Sequence, residues 1–224
     1  MSDQATALCI DVYSDVICPW CYVGKRRLER ALQQVVDKVK AKVCWRPFQL
    51  NPTMPEQGME RRRYLEAKFG GPEAAQSIYD HVAAAGTAER IPFAFDRIAR
   101  TPNTFAAHRL IWMAGHQGKQ DEMVEMLFRR YFVEGSDIGN VETLAQAAAD
   151  VGLDRTAIEA FLAGDEGGNE VQAEEAAGRR LGIRAVPYFV INGTSVLSGA
   201  QPPEEFLAAF MEIEVGSVVG KAGA

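Results

Sequence analysis

The feature that most restricts this chain is Cys18-Pro19-Trp20-Cys21, set between a strand-like run and a helical one. Ahead of it, Leu8-Cys9-Ile10-Asp11-Val12-Tyr13 is short, apolar and rich in β formers. Behind it, Val23, Leu28, Ala31, Leu32, Val35, Val36 and Val39 recur at helical spacing to about Lys40, with no interior proline. Pro19 then falls at the first helical position, where its missing N–H costs nothing. That puts Cys18 at the amino end of the helix, where unpaired N–H groups and the positive end of the dipole favour a thiolate. Cys21 lies one turn further in, more buried and less ionised. One cysteine is expected to attack and the other to resolve.

A Cys-x-x-Cys pair also serves as half a zinc site, or as nothing at all. Zinc needs two further soft ligands at suitable spacing. The chain has no second such pair, and His81, His108 and His116 have no cysteine neighbours, so no metal site is expected. Four cysteines in 224 residues are too few for a disulfide scaffold. Cys9 and Cys44 fall inside strand-like runs and read as small buried hydrophobes. Trp20 is uncharged and cannot stabilise a thiolate as a histidine there would, so a less oxidising pair is expected. Asp15, just ahead of the motif, is expected to cap the turn rather than to shuttle a proton to Cys21. Asp11 is a second, weaker shuttle candidate.

With 24 Lys and Arg against 30 Asp and Glu, the net charge is −6, which argues against a nucleic-acid partner. No apolar run approaches the roughly 20 residues of a membrane helix. Residues 1–7 lack a basic stretch followed by an apolar one, so a cytoplasmic protein is expected. The 47% apolar residues suit a folded globular chain.

A second strand is expected at Val43–Phe48, followed by a loop through Asn51-Pro52 and Met54-Pro55. A long helical stretch comes next: Arg61–Phe69 stopped at Gly70-Gly71, Glu73–Ala85 stopped at Gly86, Thr104–His116, Asp121–Phe132 and Val141–Val151. A helix capped by Asp154 then runs to Leu162, and another spans Asn169–Leu181. Ile91–Phe95 reads as extended. Residues 185–199 read as a β-hairpin turning at Asn192-Gly193. Pro202-Pro203 opens a last helix, with a frayed tail expected after Gly216. Arg61-Arg62-Arg63 and Arg129-Arg130 read as solvated helix faces. Trp112, Met113, Met123, Met126 and Phe128 read as core. The ends of the chain supply β-α-β and α-β-β-α around an all-helical block.

Cys18-Pro19-Trp20-Cys21 with Tyr22-Val23-Gly24-Lys25-Arg26, and Val186-Pro187 opening a later strand, resembles the DsbA-like thiol–disulfide oxidoreductases, closest to their FrnE-like branch. The likeness includes Phe48-Gln49-Leu50-Asn51-Pro52, Thr101-Pro102-Asn103-Thr104-Phe105, Ala107-His108-Arg109-Leu110 and Ser198-Gly199-Ala200-Gln201-Pro202-Pro203. The resemblance implies an α/β chain with a thioredoxin-like fold and an inserted all-helical domain. Residues 1–50 and 165–224 would form the thioredoxin-like domain, and 51–164 the insertion. It also implies a cis peptide at Val186-Pro187 facing Cys18, leaving the Val186 main chain free to pair with an extended substrate.

By this resemblance Cys18, Cys21 and Pro187 are the catalytic candidates, with Pro19, Trp20 and Val186 beside the substrate. The same fold resembles kappa-class glutathione transferases and hydroxychromene-carboxylate isomerases, which usually present Ser at position 18. Should glutathione bind, Asn51, Val186, Ser198 and Gly199 are the analogous positions. Asn103 and His108 read first as a helix cap and a packed histidine, and second as lining of the cleft between domains. The expected activity is dithiol–disulfide exchange of reductase or isomerase type, with a glutathione-dependent isomerase or transferase as the alternative. A non-catalytic binding module comes last. No cofactor is required, glutathione is a candidate co-substrate, and the partner is a disulfide-containing protein or a small thiol.

Overall fold

The computed structural model describes residues 6–221. Strand β1 (Thr6–Ser14) alternates in burial as far as Val12 and is covered on both faces at its end, where Tyr13 and Ser14 are buried too. Leu8, Ile10 and Val12 are buried, while Cys9 is exposed on the other face. Helix α1 (Pro19–Gln34) follows, then β2 (Val39–Pro47), which pairs in parallel with β1 from Thr6↔Val39 to Ser14↔Pro47. Near the carboxyl end, β5 (Tyr188–Ile191) pairs antiparallel with β1, and β6 (Ser195–Ser198) pairs antiparallel with β5. The sheet order is β2-β1-β5-β6. Helix α9 (Pro203–Lys221) packs with α1 on the face of Ile10, Val12 and Phe189. There the Phe189 and Phe206 rings meet edge-to-face, 4.8 Å between centroids.

Between β2 and the return to the sheet lie two short paired strands, β3 (Met59–Glu60) and β4 (Arg100–Thr101), with α2 (Arg61–Phe69) and α3 (Pro72–Ala88) between them. Then come α4 (Phe105–His116), α5 (Gln120–Phe132), α6 (Val141–Asp150), α7 (Arg155–Ala163) and α8 (Gly168–Arg180). This is the thioredoxin-like fold with a helical insertion. One continuous core runs from Leu8, Ile10 and Cys21 through Leu110, Met123 and Phe128 to Phe206, so the insertion shares its interior with the sheet. Met123 and Phe128 sit within that core, and Trp112, Met113 and Met126 pack half-buried against it.

Several expectations need correcting. The first helix stops at Gln34 instead of continuing to Lys40, because the Val35 N–H turns back to the Leu32 carbonyl and Val39 is drawn into the β2 ladder. Val36 is left exposed. Gly86 does not stop α3, which runs to Ala88: a Cβ there would lie 2.4 Å from the Phe93 ring, so this glycine admits a neighbour. Arg61 is not solvated. Its guanidinium lies over Tyr64 and Tyr79 and donates to the Thr101 hydroxyl at 3.0 Å. Arg130 likewise bonds Glu134 and Asp150, whereas Arg62, Arg63 and Arg129 are exposed as expected. Cys9 is exposed and Cys44 half-buried, since both point away from the α1 face. The hairpin loop takes three residues, Ile191↔Ser195 closing it, with positive φ at Asn192 and Gly193. Helix α9 continues past Gly216 through Lys221, and the rest of the tail expected to fray lies outside the described residues.

Candidate active site

Cys18 is the N-cap of α1, with Pro19 opening the helix. No side chain caps this end. The Cys18 N–H bonds the Asp15 carbonyl at 2.9 Å, and the Cys21 N–H bonds the Cys18 carbonyl at 3.0 Å. The Cys18 thiol, 5% exposed, donates to the Val186 carbonyl at 3.5 Å. The Val186–Pro187 peptide is cis. On its far side, the Gly199 N–H bonds the Pro187 carbonyl at 2.8 Å, so the end of β6 closes the same edge. Ser198 is exposed, and Val186 and Gly199 are half-buried. The sulfur, the carbonyl and the cis-proline therefore meet at one rim of the sheet.

Cys21 has no exposure. Burial pushes its thiol well above the usual value, and the neighbouring Cys18 raises it further. The Ser14 hydroxyl and the Asp15 main chain act in the opposite direction. A negative charge is therefore costly at Cys21 in the interior.

The remaining candidates divide. Trp20 is half-buried against the exposed His81 of α3, ring centroids 5.5 Å apart, beside the motif. No local sequence signal places His81 beside Trp20. Asn51 bonds the Tyr64 hydroxyl at 3.3 Å. The side chain of Asn103 is fully engaged inside the fold. It donates to the Met54 carbonyl at 2.7 Å and accepts from the Phe105 N–H at 2.9 Å and from Gln49. His108 is 4% exposed and faces Asp15, so it does not line an open cleft.

Asp15 does not cap. It is fully buried, and Oδ2 accepts the Leu50 N–H at 2.7 Å. Asp11 lies on the opposite face of β1 and pairs with Arg46 at 2.8 Å, which removes it as a shuttle. Among the described residues, no group of three His, Cys, Asp or Glu side chains is placed to hold a metal ion. Nor is any helix among them long and apolar enough to cross a membrane.

The family model of the DSBA-like thioredoxin domain matches residues 9–211. The probable DsbA oxidoreductase SCO1869 of Streptomyces coelicolor is 32% identical with a TM-score of 0.84, over 92% of this chain and 89% of that one. YwbO of Bacillus subtilis (strain 168) is 28% identical over 207 residues, 91% of this chain and 96% of its own. The cytosolic disulfide reductase DsbM of Pseudomonas aeruginosa, in a structure with GSH, is 20% identical with a TM-score of 0.65, over 92% of this chain and 98% of that one. That last likeness is one of fold.

Proposed function

The chain belongs to the DSBA-like thioredoxin domain family, and from that premise we propose that it exchanges electrons between its own dithiol and substrate disulfides. The observation that carries this is the placement of the two sulfurs: Cys18 at the rim against the Val186 carbonyl, Cys21 directly behind it and fully buried. Cys18 thiolate attacks a substrate disulfide; that S–S bond breaks and one substrate thiolate leaves. The mixed disulfide sits at the Val186–Pro187 edge, where the main chain pairs with an extended segment. Cys21 then attacks the Cys18 sulfur, the internal disulfide forms, and the second substrate thiolate departs. Two electrons pass from the dithiol to the substrate, and two external thiols restore the dithiol.

In a cytoplasm held reducing by glutathione, the net direction is reduction or isomerisation. DsbM, whose structure holds GSH, supports glutathione as the restoring thiol, with Asn51, Val186, Ser198 and Gly199 as its candidate contacts. The partner is a disulfide-bearing protein or a small thiol.

The test is a titration in glutathione buffers with acid quench, thiol alkylation and intact mass. Cys18 and Cys21 are expected to interconvert as one two-electron pair, and Cys18→Ser to abolish reductase activity. Cysteines that never pair, with one glutathione held on Cys18, would replace this reading with a glutathione-dependent isomerase or transferase.

A further inference from the structure

Glu89 stands where an acid is least favoured. It is the C-cap of α3, at the negative end of that helix's dipole, and its side chain is 3% exposed. A carboxylate taken out of water needs partners, and two arginines of α1 supply them. Arg27 Nε donates to one oxygen at 3.0 Å and Arg30 Nη1 to the other at 2.9 Å. The backbone is held there as firmly. The Arg90 N–H bonds the Thr87 carbonyl at 3.1 Å and the Ile91 N–H bonds the Gly86 carbonyl at 2.8 Å, with Arg90 at φ 59°. Helices that stop this way usually place glycine at the left-handed position. An arginine there persists only where its surroundings over-determine the turn.

Arg27 makes a second bond. Its Nη1 donates to the Ala200 carbonyl, just past the end of β6. In the same turn the Gly199 N–H bonds the Pro187 carbonyl at 2.8 Å. The Gln201 side chain bonds the Ser198 carbonyl at 2.7 Å and its N–H the Gly199 carbonyl at 2.9 Å, which ties residues 198–201 together. One largely buried side chain therefore spans three elements: the dithiol helix, the end of α3 and the turn behind Pro187. Trp20 meets His81, and about two turns further along both helices Arg27 meets Glu89, so α3 lies beside α1 in the same direction.

We propose that Arg27 and Glu89 are positioning residues for the substrate: they hold residues 198–201, and through Gly199 the Val186–Pro187 edge, at the spacing from Cys18 that a peptide-like disulfide needs. This rests on the dithiol-exchange reading above, and it makes the end of α3 the part of the insertion that tunes the rim. A buried ion cluster returns little net stability, because removing its charges from water offsets their attraction. Its contribution here is geometric. Glu89 fixes the planar fork of Arg27, the fork fixes the Ala200 carbonyl, and the turn presents Ser198 and Gly199 to the substrate main chain. Neither Arg27 nor Glu89 touches a reacting sulfur. Oxidised glutathione, with its amides and carboxylates, uses that edge, and a disulfide without such groups does not. Arg30 bonds Glu89 but not the turn, so it has no part in the spacing.

The experiment compares two probes. Reduced protein is mixed with excess oxidised glutathione or excess bis(2-hydroxyethyl) disulfide, quenched in acid, alkylated and counted by intact mass. With either probe the dithiol gives up two electrons, the Cys18–Cys21 disulfide forms, and two molecules of the small thiol are released. Arg27→Gln and Glu89→Gln are expected to lose about 10-fold in rate against oxidised glutathione and under about 2-fold against bis(2-hydroxyethyl) disulfide. Arg27→Lys keeps the charge but not the fork, and should lose about 3-fold with glutathione alone. It also serves where a glutamine variant fails to fold. Arg30→Gln should leave both rates within about 2-fold, and Arg27→Gln combined with Glu89→Gln should be no slower than the worse single change, since both act through one fork. Folded variants that keep the wild-type rate with glutathione overturn the proposal. So do variants that slow equally with both probes, as a merely structural role requires. Wild-type cysteines that never pair would instead overturn the dithiol-exchange reading beneath it.

Discussion

Gly24 is the position where the fold and the proposed chemistry press on one another most directly. It lies inside α1, one turn beyond the dithiol, and its φ is not in the left-handed region, so backbone freedom is not why glycine stands there. A Cβ at this position would sit 3.0 Å from Pro187 Cγ and 3.1 Å from Phe189 Cζ. Neither neighbour yields easily: the Phe189 ring has no exposure and is braced by Phe206, and Pro187 closes the active-site rim.

Two terms compete in Gly24→Ala. Helix propensity favours alanine by about 1 kcal/mol. Forcing an extra methyl into a packed interior costs about 1–3 kcal/mol. The difference runs from nothing to about 2 kcal/mol of lost stability, or a fall of a few degrees in Tm at this chain length. Because the added methyl pushes on Pro187, a displacement of tenths of an ångström at the rim should cost about 3- to 10-fold in the rate against a protein disulfide. Urea and thermal melts of the oxidised protein, with an insulin-type reductase assay, measure both. Gly24→Val should be worse on each count. Were Gly24→Ala to gain the full helix-propensity increment and keep its rate, the close approach of α1 to Pro187 would have no energetic meaning and the argument would fail.

Two further outcomes follow from the buried groups. Folding holds the Cys21 thiol above its usual value, so the native reduced protein binds more protons than the unfolded chain once pH reaches the ordinary thiol range. Its stability should therefore fall as pH rises beyond about 8.5, by at most about 1.4 kcal/mol per pH unit. Melts of reduced wild type against reduced Cys21→Ala will show it, and parallel curves would refute it. Phe189→Ala removes an unexposed ring from between α1, α9 and the sheet, and should cost about 3–5 kcal/mol in urea unfolding. A loss under about 1.5 kcal/mol would mean that the site collapses around the gap.

What the sequence made legible is what is punctuated locally. The entry to α1 at Pro19, the Asp154 cap accepting the Ala157 N–H at 2.8 Å, and the ends near Gly70, Gly152 and Gly182, all at positive φ, are each written within a few residues. What it hid depends on partners far along the chain. Val39 carries the periodicity of a helix but joins a strand because Thr6 is there to pair with it. Gly86 looks like a stop but makes room for Phe93. Arg61 looks solvated until Tyr64 and Tyr79 close around it. Within the site, Cys18, Cys21 and Pro187 announce themselves by motif. The meeting of Asp15 with His108 crosses 93 residues and leaves no local trace.

That long-range meeting bears on why a helical insertion should share a core with a redox sheet. The two cysteines stand differently in that shared interior. The Cys18 thiol meets the Val186 carbonyl beside the cis-proline, where the proposed function brings a substrate sulfur. Cys21 has no exposure, and Ser14, Asp15 and Cys18 lie beside it. The insertion places His108 against Asp15, 3.5 Å apart, while Trp20 and His81 mark where another of its helices approaches the rim. On the proposed function, substitutions at Trp20, Val186 or Ser198 change which disulfide is accepted, and Cys21→Ala stops the release of an accepted one. Followed separately by acid quench and intact mass, formation of the mixed disulfide should then respond to the first set alone and its release to Cys21 alone.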